Sequence, residues 1–166
     1  MTFFDLEQVD HFIVGAVGMP GDRTFFFQVF AGKTLVSFKA EKSQIAALAG
    51  HLERMLADLP GSAFAAGAWG KLDLPVFPEW DVGAIGLGYE RESDTVVIVL
   101  NELERVQFGP EPLEEGIVGR ARFRLTRPQA VALATHGRQL VSAGRPTCEF
   151  CATPIDTDGY NCACFN

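Results

Sequence analysis

For 147 residues the chain contains no cysteine, and then four fall within its last 19. Other absences narrow it further. No apolar run approaches the roughly 18 residues of a membrane-crossing helix, and the first ten residues are acidic with no basic stretch. Neither a membrane span nor a secretory leader is expected, which points to the cytoplasm. Positive charge is scarce: 14 Lys and Arg stand against 21 Asp and Glu, a formal charge of -7 that repels phosphate backbones and anionic lipid. Nucleic acid and membrane are therefore not expected partners. Catalytic signatures are missing too, since H-E-x-x-H, G-x-S-x-G, a Cys–His pattern and both phosphate-loop motifs are all absent. The balance leans away from an enzyme.

What is present begins with those cysteines. Cys148 and Cys151 form C-x-x-C, ten residues follow, and Cys162 and Cys164 form C-x-C. That is the spacing of a tetrathiolate metal knuckle, and Pro154 and Asp158-Gly159 let the intervening loop double back. In a reducing compartment such clusters bind metal or do redox work more often than they form disulfides. Zn2+ is the expected cofactor, closed by four ligands and structural; an iron–sulfur cluster, a redox dithiol, disulfides and free thiols are the alternatives. Cys164, two residues from the last and in a tight C-x-C, is the weakest ligand, with His51, His136 or water as substitutes.

The body reads as α+β. Residues 11–17, 24–30 and 34–39 are strand-like, and the second of these, TFFFQVF, is apolar on both faces, as a central strand would be. Ser43 is placed to cap a helix whose Ile45, Leu48, Leu52, Met55, Leu56 and Leu59 form one stripe. Residues 60–78, rich in Gly, Ala and Pro with Trp69 and Phe77 as large anchors, connect two halves. The second half repeats the first. Val82-Gly83-Ala84-Ile85-Gly86 echoes Val14-Gly15-Ala16-Val17-Gly18, residues 95–100 and 119–125 supply two more strands, and Thr126 caps a second helix ending at Gly144. Gln129, Ala132, Leu133, Ala134 and His136 match Gln44, Ala47, Leu48, Ala49 and His51, 85 residues apart against 68 at the strands. The extra residues fit in the loop over 101–117.

The expected architecture is a pair of duplicated β-β-β-α units forming one six-stranded, mainly antiparallel sheet with two helices on one face, plus a C-terminal zinc knuckle. The boundaries are residues 1–146 for the duplicated domain, with halves of about 1–59 and 79–145, and 147–166 for the metal-binding tail. Strands apolar on both faces imply a cover for the second face, a protein partner or a second copy giving a homodimer.

Arg120, Arg122 and Arg124 share one strand face by the period of two, a candidate anion contact. The bland reading, a solvated face paired with Glu90, Glu92 or Glu102, weighs more. His51, His136 and His11 are read as boundary histidines. The glycines of the two V-G-A segments are read as sites of close packing or bulges.

Three stretches carry a family resemblance: residues 12–25 (FIVGAVGMPGDRTF), residues 82–88 (VGAIGLG), and residues 142–151 (SAGRPTCEFC) followed by Pro154-Ile155-Asp156. Together they resemble the actinobacterial family numbered 3090 among domains of unknown function. The likeness spans nearly the whole chain and is most specific from Ser142 to Cys151. It implies a cytosolic protein of this size with no established activity, and a tendency to be encoded beside a phosphomutase-like protein. Similar proteins show Gly-His-x-Cys where this chain has Gly159-Tyr160-Asn161-Cys162, which makes Cys164 the substitute ligand. The expected function is a non-enzymatic accessory or adaptor protein. The alternative is an enzyme or small-anion-binding domain using Arg120, Arg122 and Arg124 in a groove between the halves.

Overall fold

The computed structural model describes residues 2–61, 66–67, 69–104, 119–144, 148, 150–151, 153 and 164. The loop over 105–118, Arg145-Pro146 and the turn at Pro154 and Asp158-Gly159 lie outside the described residues.

The chain is α+β, with strands β1 (Phe3–Leu6), β2 (His11–Met19), β3 (Asp22–Ala31) and β4 (Thr34–Ala40), then helix α1 (Lys42–Asp58). Strands β5 (Val82–Glu90), β6 (Thr95–Glu102) and β7 (Arg120–Leu125) follow, then helix α2 (Arg127–Ser142). The order β-β-β-α thus occurs twice. The strands divide between two sheets, β2-β3-β4 and β1-β7-β6-β5, where the sequence suggested one of six strands. The two meet at one parallel backbone link, Lys39 beside Asp81. Past that link the carbonyls of Val82 and Gly83 are taken by the side-chain amide of Gln44, at 2.9 and 2.8 Å, so β5 turns toward α1 instead of extending along β4.

Alternation along the strands builds the core between the sheets. Phe12 meets Phe123 at 5.4 Å between ring centroids and Phe27 at 5.6 Å, while Phe38 meets Phe123 at 5.9 Å and Trp80 at 4.5 Å. Into this aromatic layer α1 sends Ile45, Leu48 and Leu52, and α2 sends Ala130, Leu133 and Ala134. The helices touch where Gly137 lets Ala49 and Ile45 approach.

The short β1 has no counterpart in the expected strand list; it pairs parallel with β7, Phe3 opposite Arg120 through Leu6 opposite Phe123. Helix α1 begins at Lys42 with Glu41 as its cap, and the Glu41 N–H donates to Gln44 Oε1 at 2.8 Å. Ser43 therefore lies inside the first turn and does not cap it. Thr126 does cap α2, with Gln129 closing the reciprocal bond at 2.8 Å.

The cover over the second face of β2-β3-β4 is the connection between the halves. Leu72 lies over Gly15 and Gly70 over Ile13, and the buried Gln28 amide donates to Asp73 O at 3.1 Å while its carbonyl accepts from Asp73 N at 2.6 Å. Residues that read as a plain connector thus form a third layer, and the outer positions Ile13 of β2 and Phe26 of β3 are buried within the chain, while Val17 stays exposed.

Candidate metal centre

Three of the four predicted ligands come together. The Sγ atoms of Cys148, Cys151 and Cys164 lie within 4.8 Å of one another, although Cys148 and Cys164 are 16 residues apart. Cys162 lies outside the described residues. The Cys148 N–H donates to Thr153 O at 2.9 Å, which holds Thr153 against the first cysteine. Thr153 Oγ1 stands 3.1 Å from Cys151 Sγ, a hydroxyl placed to orient that sulfur. Cys148 is buried at 6% exposure while Cys151 and Cys164 are exposed, so the cluster is anchored from one side.

The spacing tests what such a cluster can hold. Cys148 Sγ and Cys164 Sγ stand 3.6 Å apart. A disulfide needs about 2.05 Å. Two thiolates on one tetrahedral ion with metal–sulfur bonds of about 2.3 Å stand roughly 3.8 Å apart, close to what is seen. The donor set therefore fits a metal ion, and Cys148 and Cys164 are not bonded to each other.

Neither histidine considered as a substitute ligand joins this group. His51 Nδ1 pairs with Ala47 O at 2.7 Å, one helical turn back. His136 stacks on the indole of Trp69, centroids 3.8 Å apart and planes 19° from parallel, and burial pushes its pKa below the usual value of 6.5. His11 packs edge-on against Phe30.

The arginine strand shares one face, as its period requires. Arg122 makes a two-point ion pair with Asp5, its Nε 3.0 Å from Oδ1. Arg124 lies 3.7 Å from Asp5, 3.4 Å from Glu7 and 3.3 Å from Glu90. The hydrogen bond from Arg122 is the main reason the Asp5 carboxyl titrates below its ordinary range. Of the acids expected opposite this strand, Glu90 takes part, whereas Glu102 accepts from the Gly119 N–H at 2.8 Å. Asp5 and Glu7 went unforeseen because β1 itself did.

A polar cluster that spacing alone could not reveal surrounds the buried Arg127. Its guanidinium donates to Asp94 Oδ1 (2.7 Å), Pro60 O (2.7 Å) and Tyr89 Oη (3.0 Å), tying the β5–β6 turn to the end of α1 and the start of α2. Hydrogen bonds from Tyr89 and then Arg127 hold the Asp94 carboxyl below its ordinary range. Among the described residues no helix is long and apolar enough to cross a membrane.

Comparison with known proteins gives one match: the model of a family described as protein of unknown function (DUF3090) covers residues 4–162. No curated protein and no solved structure matches the chain.

Proposed function

The chain belongs to the DUF3090 family, and from that premise we propose that it is a non-enzymatic accessory or adaptor protein whose tail folds around a structural zinc ion. The ligands would be Cys148, Cys151, Cys164 and, from the paired motif, Cys162. The observation that carries this reading is the gathering of three thiols within 4.8 Å. Four such ligands fill the tetrahedral sphere of zinc and leave no position for substrate or water, so the ion adds folding energy to the tail and no chemistry. An iron–sulfur cluster divides its cysteines among several irons, which suits three mutually close thiols less well than one ion does.

The alternative, an anion site on Arg120, Arg122 and Arg124, has less support, because Arg122 and Arg124 already face Asp5 of β1 and Arg124 also faces Glu90 of β5. Arg122→Glu would abolish phosphate binding if that site existed, and would merely perturb the surface if it did not.

The deciding experiment is native mass spectrometry with metal analysis on protein purified without added metal, beside a variant with all four cysteines changed to serine. One zinc per chain, lost in the variant, supports the reading. A metal-free chain, or an iron signal with visible colour, sinks it.

A further inference from the structure

The two helices carry the same face, and among the described residues only one of them has it covered. In α2 that face is Gln129, Ala132, Leu133 and His136; in α1 it is Gln44, Ala47, Leu48 and His51. Each glutamine reaches into the other half of the chain: Gln129 donates to Val9 O and Asp10 O at 2.6 and 3.2 Å, Gln44 to Val82 O and Gly83 O at 2.9 and 2.8 Å. The two environments are thus built alike at their base. One turn further on they part. Ala132 is buried, and His136 is half-buried beneath Trp69, an indole delivered by the extended connection between the halves. Ala47 and His51 are exposed, and a cleft of about 400 Å³ opens between them and Gly83, Ile85 and Leu87 of β5.

That volume falls at the small end of ligand pockets, roughly 300–1,000 Å³, with room for an aromatic side chain. The neighbouring backbone suits an extended guest. β5 is the outer strand of its sheet, and its residues 82–89 (VGAIGLGY) hold no charge and no proline, the usual devices that keep a strand edge from pairing. Beyond Gly83, among the described residues, no strand pairs with that edge. The formal charge of -7 favours a guest with basic residues.

We infer that the α1–β5 cleft is a docking site for an extended, basic segment of a partner protein, whose aromatic side chain stacks on His51 as Trp69 stacks on His136. Strand addition along β5 supplies backbone hydrogen bonds, and the cleft supplies selectivity for the aromatic residue. The inference rests on the reading of the protein as an adaptor and names the surface that the adaptor uses.

The test is a titration of the isotope-labelled full chain, followed by amide and imidazole NMR signals, with a synthetic peptide of residues 66–76. Asp73→Lys in the peptide makes it basic. Ring-current shifts at Ala47 and His51, with shifts along residues 83–87, are expected, and salt should weaken them. A peptide with Trp69→Ala should bind about tenfold more weakly, since the aromatic contact is the anchor. In the protein, Ala47→Trp alters an exposed position, leaves the fold intact by circular dichroism, and should abolish the shifts by filling the cleft. Equal binding of the alanine peptide, shifts that map elsewhere, or undiminished binding to the Ala47→Trp protein would overturn the inference. So would a dimer in solution that Ala47→Trp dissociates, because the occupant would then be a second copy. A zinc-loaded chain that ignores the peptide removes the cleft and leaves the metal site standing; a metal-free chain that binds it does the reverse.

Discussion

The two sheets share an aromatic core on their inner faces and differ completely on their outer ones. Outside β2-β3-β4 lies the chain's own connection, which buries Ile13, Phe26 and the amide of Gln28. Outside β1-β7-β6-β5 the described residues form a face where Asp5, Glu7 and Glu90 meet Arg122 and Arg124. The first face is held by burial and by hydrogen bonds from the buried Gln28 amide; the second by ion pairs that water and salt screen. A buried amide left half-bonded costs far more than a surface pair left single, so stability should be distributed unequally between the two.

The largest effect is expected at Gln28. Gln28→Ala removes both bonds to Asp73 and empties a buried side-chain site, leaving the Ser37 hydroxyl without its amide partner, for a loss of about 2–3 kcal/mol in urea unfolding. Amide exchange over residues 69–76 should quicken well beyond what the global loss explains; an unchanged exchange pattern would show that the connection is held by something else. Gly15→Ala comes next. Its new Cβ would fall 2.5–3.1 Å from the Leu72 side chain, which must shift, at about 1 kcal/mol. Restoring space with Leu72→Ala should recover part of that loss, and a fully additive double variant would break the coupling.

On the other face, Arg122→Ala should lower stability only slightly, a loss that vanishes in high salt. A loss of several kcal/mol would mean the face is covered after all.

The smallest effect concerns pH. Burial lowers the His136 pKa in the folded chain, so the folded state resists a proton that the unfolded state accepts near 6.5. Its contribution is complete above that value and is lost as pH falls through it toward the lowered folded value. The indole of Trp69 attracts the imidazolium and offsets part of the loss. The melting temperature should decline slightly between pH 7.5 and 5.5, before the carboxylates titrate, and His136→Phe should flatten that decline.

Much of this was legible in the residues. TFFFQVF announced a strand buried on both faces, and the Ile45, Leu48 and Leu52 stripe announced a helix, because both depend on local periodicity. The cysteine cluster was legible in the spacing of its motifs, and the structure brings Cys148, Cys151 and Cys164 together. Legibility ended where distant segments decide. Phe3–Leu6 is four residues long and becomes a strand only because β7 offers it an edge, and the division into two sheets depends on Gln44 reaching Val82 and Gly83. The connector's role as a cover was hidden by its Gly and Pro content, although Trp69 and Leu72 were the signal that it had something to bury.

The parallel pairing of β1 with β7 has a consequence for synthesis. Phe3 leaves the ribosome 117 residues before Arg120, its partner. Sheet β1-β7-β6-β5 therefore cannot acquire its first strand until residues 120–125 have been made. Through that interval the N-terminal segment, with Phe3 and Phe4, must wait beside a growing chain, and a long-range contact of this kind slows folding. Residues 3–6 are translated long before the strand that gives them their place.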